Sequence, residues 1–377
     1  MKKIILAPDS FKGTISAIRV CEIMETAILG EYPNCEIIKI PLADGGEGTV
    51  DCFLTAMPGE RKTAKIKGPF LEEIQAEYAF FSEKKLAVIE VASAVGLPMV
   101  VGRENPELTS SFGVGELIAD ACANGAKELI IGLGGSCTND AGCGALAALG
   151  VKFYDKDEKA FVPTGKNIIE ISRIDLKNLN EEVKNIKIIA MCDVRNTLYG
   201  EYGAAKVFAP QKGADGQMVK RLEAGMEHLS IVLSESLDID VSNLIGGGAA
   251  GGMGAGFSGL LNAKLKSGIE TILDIVNFGD CLTWCDLVFS GEGKIDAQSI
   301  NGKVVSGVAK AAKMKGVPVC VVVGAIGDGF EPIYDMGVTA IFSICNKPGT
   351  FEEILGEAEP NLAQLMENLI KYYQVRQ

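Results

Sequence analysis

Short apolar runs alternate with polar or glycine-rich loops and with amphipathic segments along most of this chain. The run KKIILAP is followed by the loop DSFKGTIS and then by AIRVCEIMETAIL, which has the periodicity of a helix. The same order recurs after NCEIIKIPL, KELIIGL, KIIAMC and DLVFS, and VPVCVVVG and VTAIFSIC add two further strands. This alternation predicts an α/β fold with largely parallel sheets, in which loops at the carboxyl ends of strands form the ligand site.

The pattern changes between about residues 61 and 110. There AKIKGP, IQAEYAFF and LAVIEVAS are typical of consecutive strands joined by turns, which predicts an antiparallel or mixed sheet. The segment from 285 onwards resembles the first 60 residues in style. We therefore expect two α/β domains. Residues 1–60 and 285–377 would form a discontinuous domain, and residues 61–284 an inserted mixed-sheet domain.

The composition disfavours several classes of protein. The formal net charge of −13 makes the chain a poor binder of nucleic acid. No apolar run reaches the roughly 18 residues of a membrane span. The 11 cysteines, without C-x-x-C spacing, are typical of reduced thiols in a cytoplasmic protein. The single histidine, His228, excludes a multi-histidine metal site and lies beside a helical apolar stripe, so we expect it to be structural or on the surface.

Two loops near the N-terminus are rich in functional groups. In APDSFKGTISA, Asp9, Ser10 and Lys12 follow the first strand. They are candidates for contact with substrate or phosphate, or else Asp9 and Ser10 cap the next helix. In PLADGGEGTVD, Asp44 and Glu47 stand near three glycines. Their carboxylates can hold Mg²⁺ directly or through water, unless the loop is only a turn with a helix cap.

Two later loops carry charges at strand ends. In CDVRNTLYG, Asp193 is a candidate general base or magnesium ligand, and Arg195 can grip a carboxylate or a phosphate. An exposed ion pair is the alternative. In FSGEGKIDAQSINGK, the pattern predicts a strand-to-helix loop that contains Glu292, Lys294 and Asp296. Helix-start amides and the lysine would attract phosphate there, although the Walker A spacing is absent.

Two glycine-rich stretches allow the backbone to approach another group closely. In GLGGSCTNDAGCGALAALG, the first half follows a strand and offers a ligand four polar side chains: Ser136, Thr138, Asn139 and Asp140. The second half predicts a helix packed against a sheet. In GGGAAGGMGAGFSG we expect a loop that cradles phosphate, or a hinge or lid. A dinucleotide fingerprint is disfavoured there because no clear strand precedes the glycines.

Glycine loops, strand-end carboxylates and isolated cations, without usable histidine chemistry, suit phosphoryl transfer. That reaction depends on positioning, on charge neutralisation by Mg²⁺, amides and cations, and on a carboxylate that accepts a hydroxyl proton. The alternatives are a non-catalytic anion- or nucleotide-binding protein and, less favoured, an oxidoreductase. The strand-end carboxylates argue against a simple anion binder, because they would repel phosphate.

The chain resembles the bacterial glycerate kinase type 1 family in eight motifs that occur in this order: APDSFKGTISA, PLADGGEGTVD, SFGVGELI, GLGGSCTNDAGCGALAALG, CDVRNTLYG, GAAKVFAPQKGA, GGGAAGGMGAG and SGEGKIDAQSINGK. The resemblance runs from about residue 3 to about residue 370. It implies ATP-dependent phosphorylation of D-glycerate with Mg²⁺, mainly to 2-phosphoglycerate and less often to 3-phosphoglycerate. It also implies one flavodoxin- or Rossmann-like domain, a second, distinct α/β domain, and an active site in the cleft between them.

Within that resemblance we assign hypothetical roles to residues of the motifs. Asp193 is the base for the attacking hydroxyl, and Arg195 or Lys12 pairs with the substrate carboxylate. The other candidates are Asp44, Glu47 or Asp296 for Mg²⁺, Asp9 and Ser10 for substrate or phosphate, and Lys294 with the amides near Ser136, Thr138 and Asn139 for the ATP phosphates. A kinase for another small hydroxy acid is the alternative. The sequence leaves open which hydroxyl is phosphorylated and whether the protein is a monomer or a homodimer.

Overall fold

The chain folds into two compact units, and the first of them combines both chain ends. The computed structural model describes residues 3–43, 45–46, 48–300, 303–347 and 356–374. The first unit consists of Met1–Asp44, Asp51–Pro58 and Ser267–Gln377, and the second of Gly45–Val50 and Gly59–Lys266.

Strands and helices alternate along most of the described chain, as the hydrophobic pattern predicts. In chain order the strands are β1 (Lys3–Pro8), β2 (Glu36–Lys39), β3 (Glu60–Lys67), β4 (Glu73–Phe81), β5 (Leu86–Glu90), β6 (Glu128–Gly132), β7 (Lys152–Tyr154), β8 (Ala160–Phe161), β9 (Arg173–Asp175), β10 (Lys187–Met191), β11 (Lys264–Lys266), β12 (Leu287–Ile295), β13 (Val319–Ile326) and β14 (Val338–Ser343).

The α-helices are α1 (Ala17–Glu31), α2 (Thr49–Ala56), α3 (Val91–Val95), α4 (Phe112–Ala123), α5 (Cys143–Ala148), α6 (Glu181–Lys184), α7 (Ala204–Phe208), α8 (Gly216–Leu237), α9 (Ala249–Leu261), α10 (Gly268–Ile275), α11 (Phe278–Leu282), α12 (Val304–Lys315) and α13 (Ala358–Gln374). Short 3₁₀ helices cover Leu97–Val100, Ile168–Glu170, Pro210–Lys212 and Glu331–Ile333.

The first unit is built on a parallel sheet with the strand order β14-β13-β12-β1-β2. Its central strands are apolar and buried, as is typical of parallel strands covered on both faces. Helix α1, capped by Ser16 through a hydrogen bond from the Arg19 amide, packs against α13. Because Ser16 is the cap, the alternative in which Asp9 or Ser10 caps α1 is wrong.

The strand order of this sheet reverses between β1 and β12. From β1 the chain passes to β2 on one side, whereas β12, β13 and β14 follow one another on the other side. In open α/β sheets, ligands bind outside the carboxyl ends of the strands at such a reversal. The loops after β1 and β12 therefore occupy the favoured position for a ligand in the first unit.

The second unit is built on a mixed sheet with the order β11-β10-β6-β5-β4-β3. Strands β3, β4 and β5 pair antiparallel, as the change of pattern predicts, and β5, β6, β10 and β11 pair parallel. A separate antiparallel sheet contains β8, β7 and β9. The expectation of an α/β fold with largely parallel sheets and a mixed-sheet region is confirmed.

The return of the chain to the first unit differs from the sequence prediction. The hydrophobic pattern places it at 285, whereas the compact units place it at Ser267. The intervening segment forms α10 and α11, and both helices pack against α12 of the first unit. A methyl group on Gly307 of α12 would lie 2.5 Å from Ile269 of α10, which shows how closely the two helices approach.

The densest glycine run is not an open loop, contrary to the sequence expectation. Most of it forms α9, which is buried and is kinked at Ala250, Gly251 and Gly252, all with positive φ. A Cβ on Gly251 would overlap the backbone of Thr138, and a Cβ on Gly256 would overlap the carbonyl of Ala141. These glycines are required because two backbone segments touch.

His228 has a structural contact, as expected. Its Nε2 lies 2.7 Å from the carbonyl oxygen of Ile171, and this contact is partly buried. All eleven cysteines are free thiols. In the described part of the chain, every helix is too short or too polar to span a bilayer.

Candidate active site

The carboxylate of Asp140 holds the segment that follows β6 in place. It is fully buried and accepts hydrogen bonds from the Ser111 amide (2.7 Å) and hydroxyl (2.8 Å), and from the amides of Gly142 (3.1 Å) and Gly144 (3.3 Å). Ser111 stands at the start of α4 and Gly142 at the start of α5, so one side chain fixes both helix starts. Burial raises the pKa of Asp140, while these hydrogen bonds oppose that rise. Asp140 is therefore a structural residue and not one of the groups offered to a ligand.

The glycines at the beginning of this segment face another piece of backbone. The Gly134 amide donates to the Gly45 carbonyl at 3.1 Å, and a Cβ on Gly132 would lie only 2.6 Å from that oxygen. Glu90, at the end of β5, accepts a hydrogen bond from the Val50 amide at 2.7 Å. Gly45 and Val50 are thus both held at the carboxyl edge of the second sheet. The hydrophobic pattern does not indicate this anchoring role of Glu90.

Lys212 packs against the same segment. Its side chain is buried, and its Nζ donates to Ser136 Oγ at 3.0 Å and to the Thr138 carbonyl at 2.7 Å. Burial lowers the pKa of Lys212 to about 8, although Cys137 and Asp140 act in the opposite direction. A lysine with a lowered pKa at the carboxyl edge of a parallel sheet is a candidate functional residue.

The sequence analysis also missed Lys212. The residue lies in APQKGA, where the hydrophobic pattern does not distinguish a buried lysine from a surface one. The glycine that follows, Gly213, has a positive φ of 91° and ends the 3₁₀ helix. In the sequence that glycine indicates a turn, but it does not indicate that the lysine before it is buried.

Thr138 and Asn139 bring further polar groups to this segment. Both residues are fully buried. Within the described residues, neither Thr138 Oγ1 nor either amide atom of the Asn139 side chain has a hydrogen-bond partner. Buried polar atoms of this kind are rare in folded proteins and call for an explanation, such as a bound water or ligand.

Asp193 and Arg195 leave the second sheet beside this segment. Strand β10 pairs with β6 so that Met191 lies opposite Gly132. The segments that follow the two strands therefore leave the sheet at the same level. Asp193 is half-buried with Oδ2 shielded from solvent, whereas Arg195 is exposed. The structure therefore places the predicted base at the same sheet edge as Ser136, Thr138 and Asn139.

The loop after β1 contains the N-terminal candidates. Asp9 is buried, and its Oδ1 accepts a hydrogen bond from the Ser10 amide at 2.6 Å and lies 3.3 Å from the Ser10 hydroxyl. Lys12 is exposed in the turn that follows. These three residues lie at the strand-order reversal of the first sheet, which is the position expected for ligand contact.

The charged residues after Gly291 lie differently from the prediction. Strand β12 continues to Ile295, so Glu292 and Lys294 belong to the strand and not to a strand-to-helix loop. Glu292 is buried; burial raises its pKa, and a hydrogen bond from Ser299 opposes the shift. Lys294 Nζ lies 3.2 Å from Asp296 Oδ2.

Both carboxylate oxygens of Asp296, a predicted Mg²⁺ ligand, have partners within the chain. Its Oδ1 accepts a hydrogen bond from the Gln298 amide at 2.9 Å, and its Oδ2 pairs with Lys294. The Gln298 amide is the main cause of the lowered pKa of Asp296. The other two predicted ligands, Asp44 and Glu47, lie outside the described residues. Among the residues that are described, no group of three or more His, Cys, Asp or Glu is placed to hold a metal ion.

An α/β fold with polar side chains at the carboxyl ends of parallel strands is the architecture of many enzymes that act on small molecules. The glycerate kinase family profile matches residues 4–374 of this chain. The chain therefore belongs to the glycerate kinase family, which agrees with the resemblance drawn from its motifs.

Individual relatives match over nearly their whole length. A glycerate kinase from Bacillus cereus is 41% identical over 374 residues, covering 99% of this chain and 98% of the relative. The glycerate 2-kinase of Escherichia coli is 39% identical over 368 residues, covering 97% of each. The crystal structure of a protein described as glycerate kinase 2 from Salmonella typhimurium LT2 is 37% identical. The two structures superimpose with a TM-score of 0.89, and the match covers 99% of this chain and 98% of the Salmonella chain.

We predict that Asp140→Asn destabilises the protein by about 2–3 kcal/mol, because the new amide nitrogen would face N–H donors that the carboxylate now satisfies. Urea unfolding followed by circular dichroism measures the change. The matched control is Asp155→Asn, at an exposed turn where the side chain accepts two backbone N–H groups. It should change stability by less than about 0.5 kcal/mol. Equal stabilities of the two variants would contradict the structural role of Asp140.

Proposed function

We propose that the protein transfers the γ-phosphoryl group of ATP to D-glycerate, giving 2-phosphoglycerate and ADP. The observation that carries the proposal is the near full-length similarity to glycerate kinases, which include a glycerate 2-kinase. The polar groups at the carboxyl edge of the second sheet support it, because phosphoryl transfer needs several fixed donors and one proton acceptor.

In this proposal Asp193 accepts the proton of the attacking hydroxyl. A bond forms between that oxygen and the γ-phosphorus, and the bond between the γ-phosphorus and the bridging oxygen breaks. The electron pair leaves with ADP. Asp193 is half-buried at the end of β10, with one carboxylate oxygen shielded from solvent, and a carboxylate held at such a position can accept a proton from a bound hydroxyl.

The substrate carboxylate is proposed to bind Arg195. Arg195 leaves β10 two residues after Asp193, at the same sheet edge, and its exposed guanidinium is accessible for a bidentate contact. Lys12 is the alternative, on the edge of the first sheet. Asp9, Ser10, Lys294 and the amides near Ser136 are proposed to contact substrate or ATP phosphates, which backbone N–H groups and a lysine ammonium both stabilise.

Mg²⁺ remains part of the proposal through the chemistry of ATP, whose phosphate charges it neutralises. Among the described residues, no group of three or more His, Cys, Asp or Glu is placed to hold it, and Asp296 has partners on both carboxylate oxygens. We therefore derive no step of the reaction from the metal. Asp44 and Glu47 stay the preferred ligands on the grounds of their sequence context alone.

We predict that the purified protein converts D-glycerate and ATP to 2-phosphoglycerate. ³¹P NMR of the reaction mixture follows the appearance of ADP and separates the 2- and 3-phosphoglycerate resonances. The signal of 3-phosphoglycerate alone would contradict the regiochemistry. Turnover with another hydroxy acid but not with D-glycerate would contradict the substrate, and ATP binding without turnover would contradict the enzymatic proposal.

We predict that Asp193→Asn lowers kcat by about 10²–10⁴-fold, which is the usual contribution of a general base. Steady-state kinetics with D-glycerate and ATP measure it, and the unfolding midpoint should stay unchanged. The control is Asp157→Asn, at an exposed residue of a surface turn, which should keep the wild-type kcat. If Asp193→Asn keeps wild-type turnover, Asp193 is not the base.

A further inference from the structure

Lys212 is a buried cation that the proposed reaction leaves unused. It is 3% exposed, and the hydrogen bonds given for its Nζ go to a hydroxyl oxygen and a carbonyl oxygen, neither of which is charged. Burial of an ammonium group without a paired carboxylate is costly. Such a group is unusual as a purely structural element, because an apolar side chain would fill the same volume at lower cost.

The contacts of Lys212 determine how Ser136 can behave. An ammonium group only donates hydrogen bonds, so Ser136 Oγ must act as the acceptor in its contact of 3.0 Å with Nζ. The hydroxyl proton of Ser136 is therefore directed away from Lys212. The second bond, from Nζ to the Thr138 carbonyl at 2.7 Å, holds the same loop two residues further on.

Ser136 and the proposed base, Asp193, follow neighbouring strands of the second sheet. Ser136 is in the segment that leaves β6, while Asp193 follows the adjacent, paired strand β10. Resting on the proposed function, we infer that Lys212 is a positioning residue of the phosphoryl-transfer site. Its ammonium fixes Ser136 so that the hydroxyl donates to an anionic oxygen of the substrate or of ATP.

Charge on Lys212 should then control activity as the pH rises. Burial lowers the pKa of Lys212 to about 8. The groups that act on it are the Cys137 thiol and the Asp140 carboxylate, and both favour the charged form. Glu104, which packs against the neighbouring Gly213, takes part in hydrogen bonds with its own backbone and that of Gly102. Above about pH 8 the neutral amine no longer compels Ser136 to accept.

The pH dependence that Lys212 gives to the stability of the fold has the opposite sign to the pH dependence expected for activity. The folded-state pKa of Lys212 lies below its ordinary value of 10.5, so between about pH 8 and 10 the unfolded chain binds more protons than the folded chain. This group therefore makes the fold more stable as the pH rises through that window. A loss of activity in the same window cannot come from unfolding caused by Lys212.

We predict that kcat/KM for D-glycerate and ATP falls above about pH 8 in the wild type. Lys212→Met should lower kcat/KM at least tenfold at pH 7 and lose this basic limb of the profile. The matched control is Lys206→Met, on α7, whose lysine is about half exposed and pairs with Glu223. It should keep the wild-type rate and profile. The substrate whose KM rises in Lys212→Met identifies which anion Ser136 contacts.

Ser136→Ala provides a second route should Lys212→Met not fold. It should reproduce the tenfold loss and the missing basic limb, and the double variant should be no worse than either single one, because both changes remove the same interaction. Suppose that the wild type turns over. If Ser136→Ala then keeps the wild-type rate and pH profile, or if the losses add in the double variant, the inference about Lys212 is overturned and the proposed function stands. Absence of wild-type turnover would overturn the proposed function and the inference with it.

Discussion

The buried carboxylate of Asp140 is the interaction on which the second unit's candidate site depends. It receives four hydrogen bonds from the starts of α4 and α5 and so fixes the path of the chain between β6 and α5. Ser136, Thr138 and Asn139 lie on that path. Without the carboxylate, the N–H groups at both helix starts would lack an acceptor. The segment that carries the polar side chains would then no longer be fixed in one conformation.

Close contact between backbones is the second constraint, and it explains the glycine content of this region. The segment after β6 touches residue 45 on one side and the kinked helix α9 on the other, at positions where a side chain would overlap a carbonyl oxygen. Glycine at 132, 251 and 256 is therefore a packing requirement. The side chains between these glycines carry the proposed ligand contacts, and among them Ser136 accepts a hydrogen bond from Lys212.

The hydrophobic pattern predicts the α/β fold, the mixed sheet and the carboxyl-edge loops because each strand and helix has its own periodicity. It does not predict how far β12 extends, since GEGKI is typical of a loop when read locally and becomes a strand only by pairing with β13. The burial of Lys212 and the anchoring role of Glu90 were missed for the same reason. Both depend on partners 40 or more positions away in the chain.

The central claim is that the carboxyl edge of β6 and β10 forms the substrate site. A crystal structure with D-glycerate and a non-hydrolysable ATP analogue tests it most directly. We expect an anionic ligand oxygen within hydrogen-bond distance of Ser136 Oγ, with Lys212 still bonded to Ser136 and the attacking hydroxyl of glycerate beside Asp193. Ligands bound without contact to residues 136–139 or 193–195 would contradict it.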